Sequence, residues 1–138
     1  MNNIDFVSLL FSYQGRINRA KYWIAIVVYI AAMLIAGLVS FALGMMLFLI
    51  IAVVIYIPVV ISGIMVGIKR LHDRDKSGWW LLVFYLLPAV LTWAGTAIGF
   101  YMIFSLASLA VSIWGLVELG FLRGTSGPNQ YGPDPLTA

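Results

Sequence analysis

Forty-seven consecutive residues, Tyr22 to Ile68, contain no charged side chain and no histidine, and a second such run extends from Ser77 to Val117. About 20 helical residues at 1.5 Å each cross a hydrocarbon layer of about 30 Å. Each run is therefore about twice as long as one crossing needs. Folding each run back on itself solves the problem, and the chain then reads as an all-α, polytopic membrane protein with four spans arranged as two hairpins. Hydrophobic residues make up 63% of the sequence and charged residues 9%. So few charges could not coat a water-facing surface, where about a quarter of residues are normally charged.

Every charge falls in one of three segments. The first runs from Asp5 to Lys21 and the second is the Lys69–Lys76 loop. The third, from Glu118 to Asp134, reaches into the tail. The two expected hairpin tips, near Gly44 and near Gly95–Gly99, carry none. Lys and Arg close to span ends stay on the cytoplasmic side. Four spans with both termini inside is the count that keeps every basic segment on that side.

The spans are expected over residues 23–43, 46–67, 79–98 and 101–121, with a tail over 122–138 in a single membrane domain. A short interfacial helix over 4–14 precedes them, because Phe6, Leu9, Leu10 and Tyr13 recur at helical spacing. Gly15 is expected to end it, and Asn18 to cap the helix that follows. Pro58 and Pro88 sit near the middles of spans two and three and should kink them. Ser105, Ser108, Ser112 and Gly115 form one small-residue stripe on span four, and Gly63 and Gly67 a G-x-x-x-G on span two. Such faces serve close packing within the bundle or between copies. The apolar stretch before Ser40-Phe41-Ala42 is too long for the core of a cleavable signal peptide, so none is expected.

Composition removes several functions. The chain has no cysteine and one histidine, which leaves no thiolate chemistry and little from which to build a metal site. Eight Lys and Arg in three short clusters make a poor phosphate track, so nucleic acid is not an expected partner. His72, Asp73 and Ser77 are neighbours on one short stretch, and triads seldom assemble that way. Gly124-Thr-Ser-Gly127 lacks the lysine and following helix of a phosphate loop. No catalytic set and no cofactor is implied.

Three stretches, in order, carry a resemblance: Phe11 to Trp23 (FSYQGRINRAKYW), Lys69 to Trp80 (KRLHDRDKSGWW) and Gly124 to Pro135 (GTSGPNQYGPDP). Together they resemble the domain of unknown function 805 family, small polytopic proteins of bacterial inner membranes, over nearly the whole chain. Gly15, Arg16, Arg19, Tyr22 and Trp23 carry the first motif. Arg70, Leu71, His72, Asp73, Ser77, Gly78 and Trp79 carry the second, and Gly124, Gly127, Asn129, Tyr131, Gly132, Asp134 and Pro135 the third. The region of spans three and four, with Glu118 near its end, is fuller than in the shortest members. The resemblance implies an inner-membrane location and brings no activity.

The charge-derived topology puts all three motifs on the cytoplasmic face. The candidate site is accordingly a polar cap of Arg16, Arg19, Arg70, His72, Asp73, Ser77, Asn129 and Tyr131. Within it Arg70 and Asp73 pair at i, i+3, and the Gly- and Pro-rich tail folds back over them. Glu118 is expected to pair with Arg123 or a loop arginine. The candidate ligands of the cap are an anionic lipid headgroup or an acidic segment of a partner protein; a second copy of the chain is a candidate partner through Gly63 and Gly67. The expected function is thus a non-enzymatic, membrane-embedded binding or accessory component. The alternative is a small transporter or channel subunit, which the lack of charged groups in spans one to three, with Glu118 only in the last turn of span four, disfavours.

Overall fold

The computed structural model describes residues 5–43 and 45–137. Described residues form helices and turns, with one isolated bridge between Asn129 and Gly132 in the tail. The expected tip at Gly44 lies outside the described residues. Helix α1 spans Phe6–Phe11, α2 Arg19–Leu43, α3 Met45–Asp73, α4 Leu87–Ile98 and α5 Tyr101–Leu116. A π-helical turn, Leu82–Leu86, leads into α4, and a second, Val117–Phe121, ends α5.

Helix starts follow from local chemistry. The Asp5 carboxylate accepts hydrogen bonds from Val7 N (3.1 Å) and Ser8 N (3.3 Å), which caps α1. Asn18 Oδ1 accepts from Lys21 N at 3.0 Å and caps α2, as its position suggests. Helix α1 ends at Phe11, earlier than the expected stop. Gly15 (φ +84°) serves instead in the turn that redirects the chain towards α2. The other correction concerns the expected Lys69–Lys76 loop: Lys69 to Asp73 are the last turn of α3, and the loop proper begins at Arg74. Helix continuation there is reasonable, since Lys, Arg and Leu are good helix formers and no Gly or Pro intervenes.

Among the described residues, three helical stretches are long and apolar enough to cross a membrane: Arg19–Ala42, Val53–Asp73 and Tyr101–Phe121. A shorter apolar helix, Leu82–Ile98, accompanies them. Their outward side chains are large and apolar, with Phe41 92% and Met102 76% exposed. That distribution suits hydrocarbon and would be untenable in water. The buried cluster is correspondingly small and sits near the charged end, where Leu9, Ile17, Tyr22, Val66, Leu71, Leu81, Phe84 and Leu119 meet.

Helices α2 and α3 pack along each other, as do α4 and α5. Between the pairs, contact comes mainly through the Val117–Phe121 turn, which touches α2 and α3; the bodies of α4 and α5 stay clear of the first hairpin among the described residues. Small residues set the close approaches. A Cβ on Gly95 would stand 2.5 Å from Phe104 Cβ, and one on Gly115 3.0 Å from Phe84 Cβ. The stripe on α5 thus faces α4 and its entry turn, where Ser108 Oγ donates to Pro88 O at 2.9 Å. Of the G-x-x-x-G pair, Gly67 receives Leu81, whereas a Cβ on Gly63 would meet nothing within 4 Å. Pro88 stands at the start of α4, just after the Leu82–Leu86 π turn. A proline cannot donate to the i−4 carbonyl and crowds it, so a locally widened turn at that place accommodates both defects.

Candidate functional site

The last turn of α3 carries Arg70 and Asp73 on one face, and both are buried, Arg70 at 0% and Asp73 at 3% exposure. Arg70 Nη1 donates to Asp73 Oδ2. Arg16, delivered by the turn before α2, donates to Asp73 Oδ1 from Nε (3.2 Å) and Nη2 (3.1 Å). One carboxylate therefore bridges two guanidinium groups, and the cluster keeps one positive charge in excess. Backbone carbonyls take up the excess. Arg16 reaches Thr125 O (2.7 Å), Gly127 O (2.7 Å) and Gly132 O (3.2 Å), which occupies all five of its N–H donors.

Arg70 turns the other way, donating from Nε to Leu119 O at 2.7 Å and from Nη2 to Leu122 O. Trp23 Nε1 donates to Gly120 O at 3.0 Å, and Arg19 Nη1 to Phe121 O at 2.9 Å. The carbonyls at the end of a helix have no partner within it and carry the negative end of its dipole. Here four consecutive ones, Leu119 to Leu122, are each capped by a side chain from α2 or α3. Lys69 does the same for α1, donating from Nζ to Ser8 O (2.6 Å) and Leu9 O (2.7 Å).

The tail closes over this cluster. Thr125 N (2.8 Å) and Thr125 Oγ1 (3.1 Å) donate to Asp73 O. Asn129 Nδ2 donates to His72 O at 2.8 Å and to Thr125 Oγ1 at 2.9 Å. The Tyr131 ring stacks on His72 with centroids 3.9 Å apart and planes 4° from parallel. His72 Nδ1 lies 3.3 Å from Gly15 O. The tail's own turn is held by Asp134, which accepts from Gly127 N and Leu136 N, each at 2.9 Å. Those two amides, Leu136 first, hold the Asp134 carboxyl below the usual carboxylate range. Gly124 fits only because it lacks a side chain, since a Cβ there would stand 2.5 Å from Asp73 Cγ.

Six of the eight candidate residues, Arg16, Arg70, His72, Asp73, Asn129 and Tyr131, thus meet in one network. Arg19 stands at its edge on the Phe121 carbonyl. Ser77 lies outside it on an exposed turn, with its Oγ accepting from Trp79 N at 3.4 Å. Two features of the cap differ from an open anion-binding surface: Arg16 and Arg70 point inward and their donors meet protein acceptors. Glu118, 3% exposed, pairs with Arg74 (3.0 Å) and Lys76 (2.9 Å), both from the loop. Arg123 contributes to that corner only its carbonyl, which accepts from Arg74 Nη1 at 2.6 Å. Lys69, Lys76, Gly124 and Thr125 are members that pattern reading missed. Gly124 was visible as a motif glycine, but its reason is the approach of Asp73, a partner 51 residues away in sequence.

Beside the lock is a cavity of about 450 Å³, lined among others by Arg19, Trp23, Phe121, Arg123, Ser126 and Asp134. Among the described residues the Arg123 guanidinium has no ion pair or hydrogen bond. No group of three or more His, Cys, Asp or Glu that could hold a metal ion occurs among the described residues. Likewise no hydrogen bond joins His72 to Ser77.

A helical, apolar-walled chain whose buried charges, Arg16, Lys69, Arg70, Asp73 and Glu118, cluster at one end of its helices is a membrane protein, and its relatives agree. The chain belongs to the family described as protein of unknown function DUF805, whose model matches residues 10–133. The uncharacterized protein YiiR of Escherichia coli (strain K12) is 32% identical over 136 residues, which cover 91% of this chain and 86% of YiiR. The inner membrane protein YhaH of the same strain is 31% identical, covering 89% of this chain and 86% of its own. The inner membrane protein YhaI is 30% identical, covering 94% and 93%. No solved structure matches the chain.

Proposed function

We propose that the chain crosses a bacterial inner membrane four times, keeps both termini and the charged network in the cytoplasm, and acts there as a non-enzymatic binding or accessory component. The clustering of Lys and Arg at one end of the helices supports the orientation. Leu82–Ile98, at 1.5 Å per residue, spans about 25 Å and is long enough for the fourth crossing. Helix α1, with Phe6, Val7 and Phe11 exposed and Leu9 buried, suits a position along the cytoplasmic interface.

The ligand we assign to this face is an anionic lipid headgroup. The observation that carries the assignment is the division of labour among the arginines. Arg16 and Arg70 are buried on protein acceptors, while Arg19, which spends one donor on the Phe121 carbonyl, and Arg123 flank the 450 Å³ cavity beside the interfacial indole of Trp23. Two carboxylates share that wall, but each is already engaged, Asp73 by two arginines and Asp134 by two amides. Each basic residue near a membrane surface contributes about 1 kcal/mol, so the pair favours an anionic lipid by a factor of about 30.

The test is retention of phosphatidylglycerol over phosphatidylcholine by the protein purified from mixed nanodiscs. Arg19→Gln with Arg123→Gln should abolish the preference. Equal retention of both lipids by the parent protein, or a preference unchanged in the double variant, would dismiss the site. Labelling of Thr96→Cys from outside the cell, with Ser77→Cys and Ser126→Cys protected, tests the orientation independently.

A further inference from the structure

Away from the charged end the two hairpins diverge, and between them lies a cavity of about 420 Å³ lined by Tyr22, Ile26, Tyr29, Val59, Val60, Gly63, Ile64, Val66 and Tyr85. None of these residues is charged, and three of the nine are tyrosines from two different hairpins. Tyr29 has a partner in Ser62, their hydroxyls 2.7 Å apart. Tyr22 is different. It is 6% exposed, yet its hydroxyl has no hydrogen-bond partner among the described residues. The Tyr85 hydroxyl also lacks one. It comes within 3.5 Å of where a Cβ on Gly67 would stand, so that glycine admits it to the cleft.

Helix rise puts Tyr29 about 10 Å beyond Tyr22 along α2, which carries the cleft from the interface into the hydrocarbon. Water is scarce there, and a hydroxyl without an acceptor is costly. A phenol needs an acceptor for its proton. An uncharged lining gives no compensation to an ion, so the complementary group is neutral. The volume falls within the range of small-molecule sites, and Gly63 leaves one wall open.

We propose that this cleft binds a neutral lipophilic molecule whose carbonyl oxygens accept hydrogen bonds from the Tyr22 and Tyr85 hydroxyls. Two sources share that chemistry: a membrane-soluble quinone, and the ester carbonyls of the bilayer's own glycerolipids. The site is independent of the headgroup cavity at Arg19 and Arg123.

The full-length protein in nanodiscs of diether phosphatidylcholine, a lipid without carbonyls, separates the sources. A radiolabelled benzoquinone with a decyl tail is one probe, and diester phosphatidylcholine added to the diether nanodiscs is the other. Retention is measured against empty nanodiscs. Saturable retention of either probe is expected, weakened about two- to tenfold by Tyr22→Phe or Tyr85→Phe and further by both together. Tyr56→Phe, which alters a tyrosine outside the cleft, should leave it unchanged. Gly63→Leu should block binding by filling the open wall without removing a hydroxyl. The retained probe identifies the source. Retention of neither probe above empty nanodiscs would overturn the proposal, as would a doubly substituted protein that melts and binds like the parent.

Discussion

Asp73→Asn is the sharpest perturbation of the charged lock. The aspartate is the one carboxylate between Arg16 and Arg70, and the side chains of all three are at most 4% exposed. The amide keeps the shape and one acceptor oxygen but replaces the other with a donor. Whichever way it is oriented, at least one guanidinium N–H then faces an N–H: that of Arg70, or the two of Arg16. The buried excess charge rises from one to two, and neither arginine can reach water without leaving the carbonyls it caps. Stripping a buried ion pair of one partner costs about 3–5 kcal/mol. A value in that range shifts the folded fraction more than a hundredfold. Denaturation of the purified protein in one detergent measures the loss, and tryptic cleavage after Arg123 reports release of the tail. Asp75→Asn is the control, because Asp75 is exposed and among the described residues its carboxylate bonds only Gln130. If Asp73→Asn stays within about 0.5 kcal/mol of that control, the cluster is not what holds the end of the molecule together.

Glu118→Gln should cost less, about 1–2 kcal/mol in the same denaturation assay, because Arg74 and Lys76 are 25% and 29% exposed and can rehydrate. Gly95→Ala should weaken α4–α5 packing by about 1–3 kcal/mol through the Phe104 clash, while Gly63→Ala, facing open space, should be neutral in the same assay. Asp134 gives a pH dependence of defined sign. Its folded carboxyl titrates below the unfolded value of about 3.9, so its contribution is complete above that value and is lost as pH falls through the folded one. A spin label at Ser126→Cys should therefore stay immobilised from pH 8 to pH 5 and loosen only below about pH 4, with Asp134→Asn removing the transition.

Much of this architecture can be read from the chain because charge-free length and charge position are one-dimensional properties. The paired helices, the turn at Gly99, the Asn18 cap and the Arg70–Asp73 pair all follow from spacing of at most a few residues. The Asp5 cap is equally local, since the carboxylate reaches only Val7 N and Ser8 N. The inward direction of Arg16 and Arg70 is not local. It depends on the carbonyls of Leu119, Leu122, Thr125 and Gly127, which exist as acceptors only once α5 has ended and the tail has turned back. The π turns are illegible for a similar reason. Each is a one-residue change of register, and only the proline at 88 hinted at either.

The same carbonyls explain why so many basic residues gather where a membrane protein needs only a few for orientation. In hydrocarbon there is no hydrophobic drive between helices, since lipid tails solvate Leu and Phe as well as a neighbouring helix does. Two hairpins in a bilayer therefore have little reason to associate along their apolar lengths, and here they diverge. Beside the small apolar cluster where Val66 and Leu71 meet Leu81, Phe84 and Leu119, what joins them is polar: Arg70 from the first hairpin and Arg19 and Trp23 beside it cap the end of α5, and Arg16 and Asp73 tie in the tail. The arginines act as a clasp at one end, and the opening that the clasp leaves between the hairpins is the tyrosine-lined cleft. Loss of the clasp should thus enlarge or abolish the cleft, whereas loss of the cleft hydroxyls should leave the clasp intact.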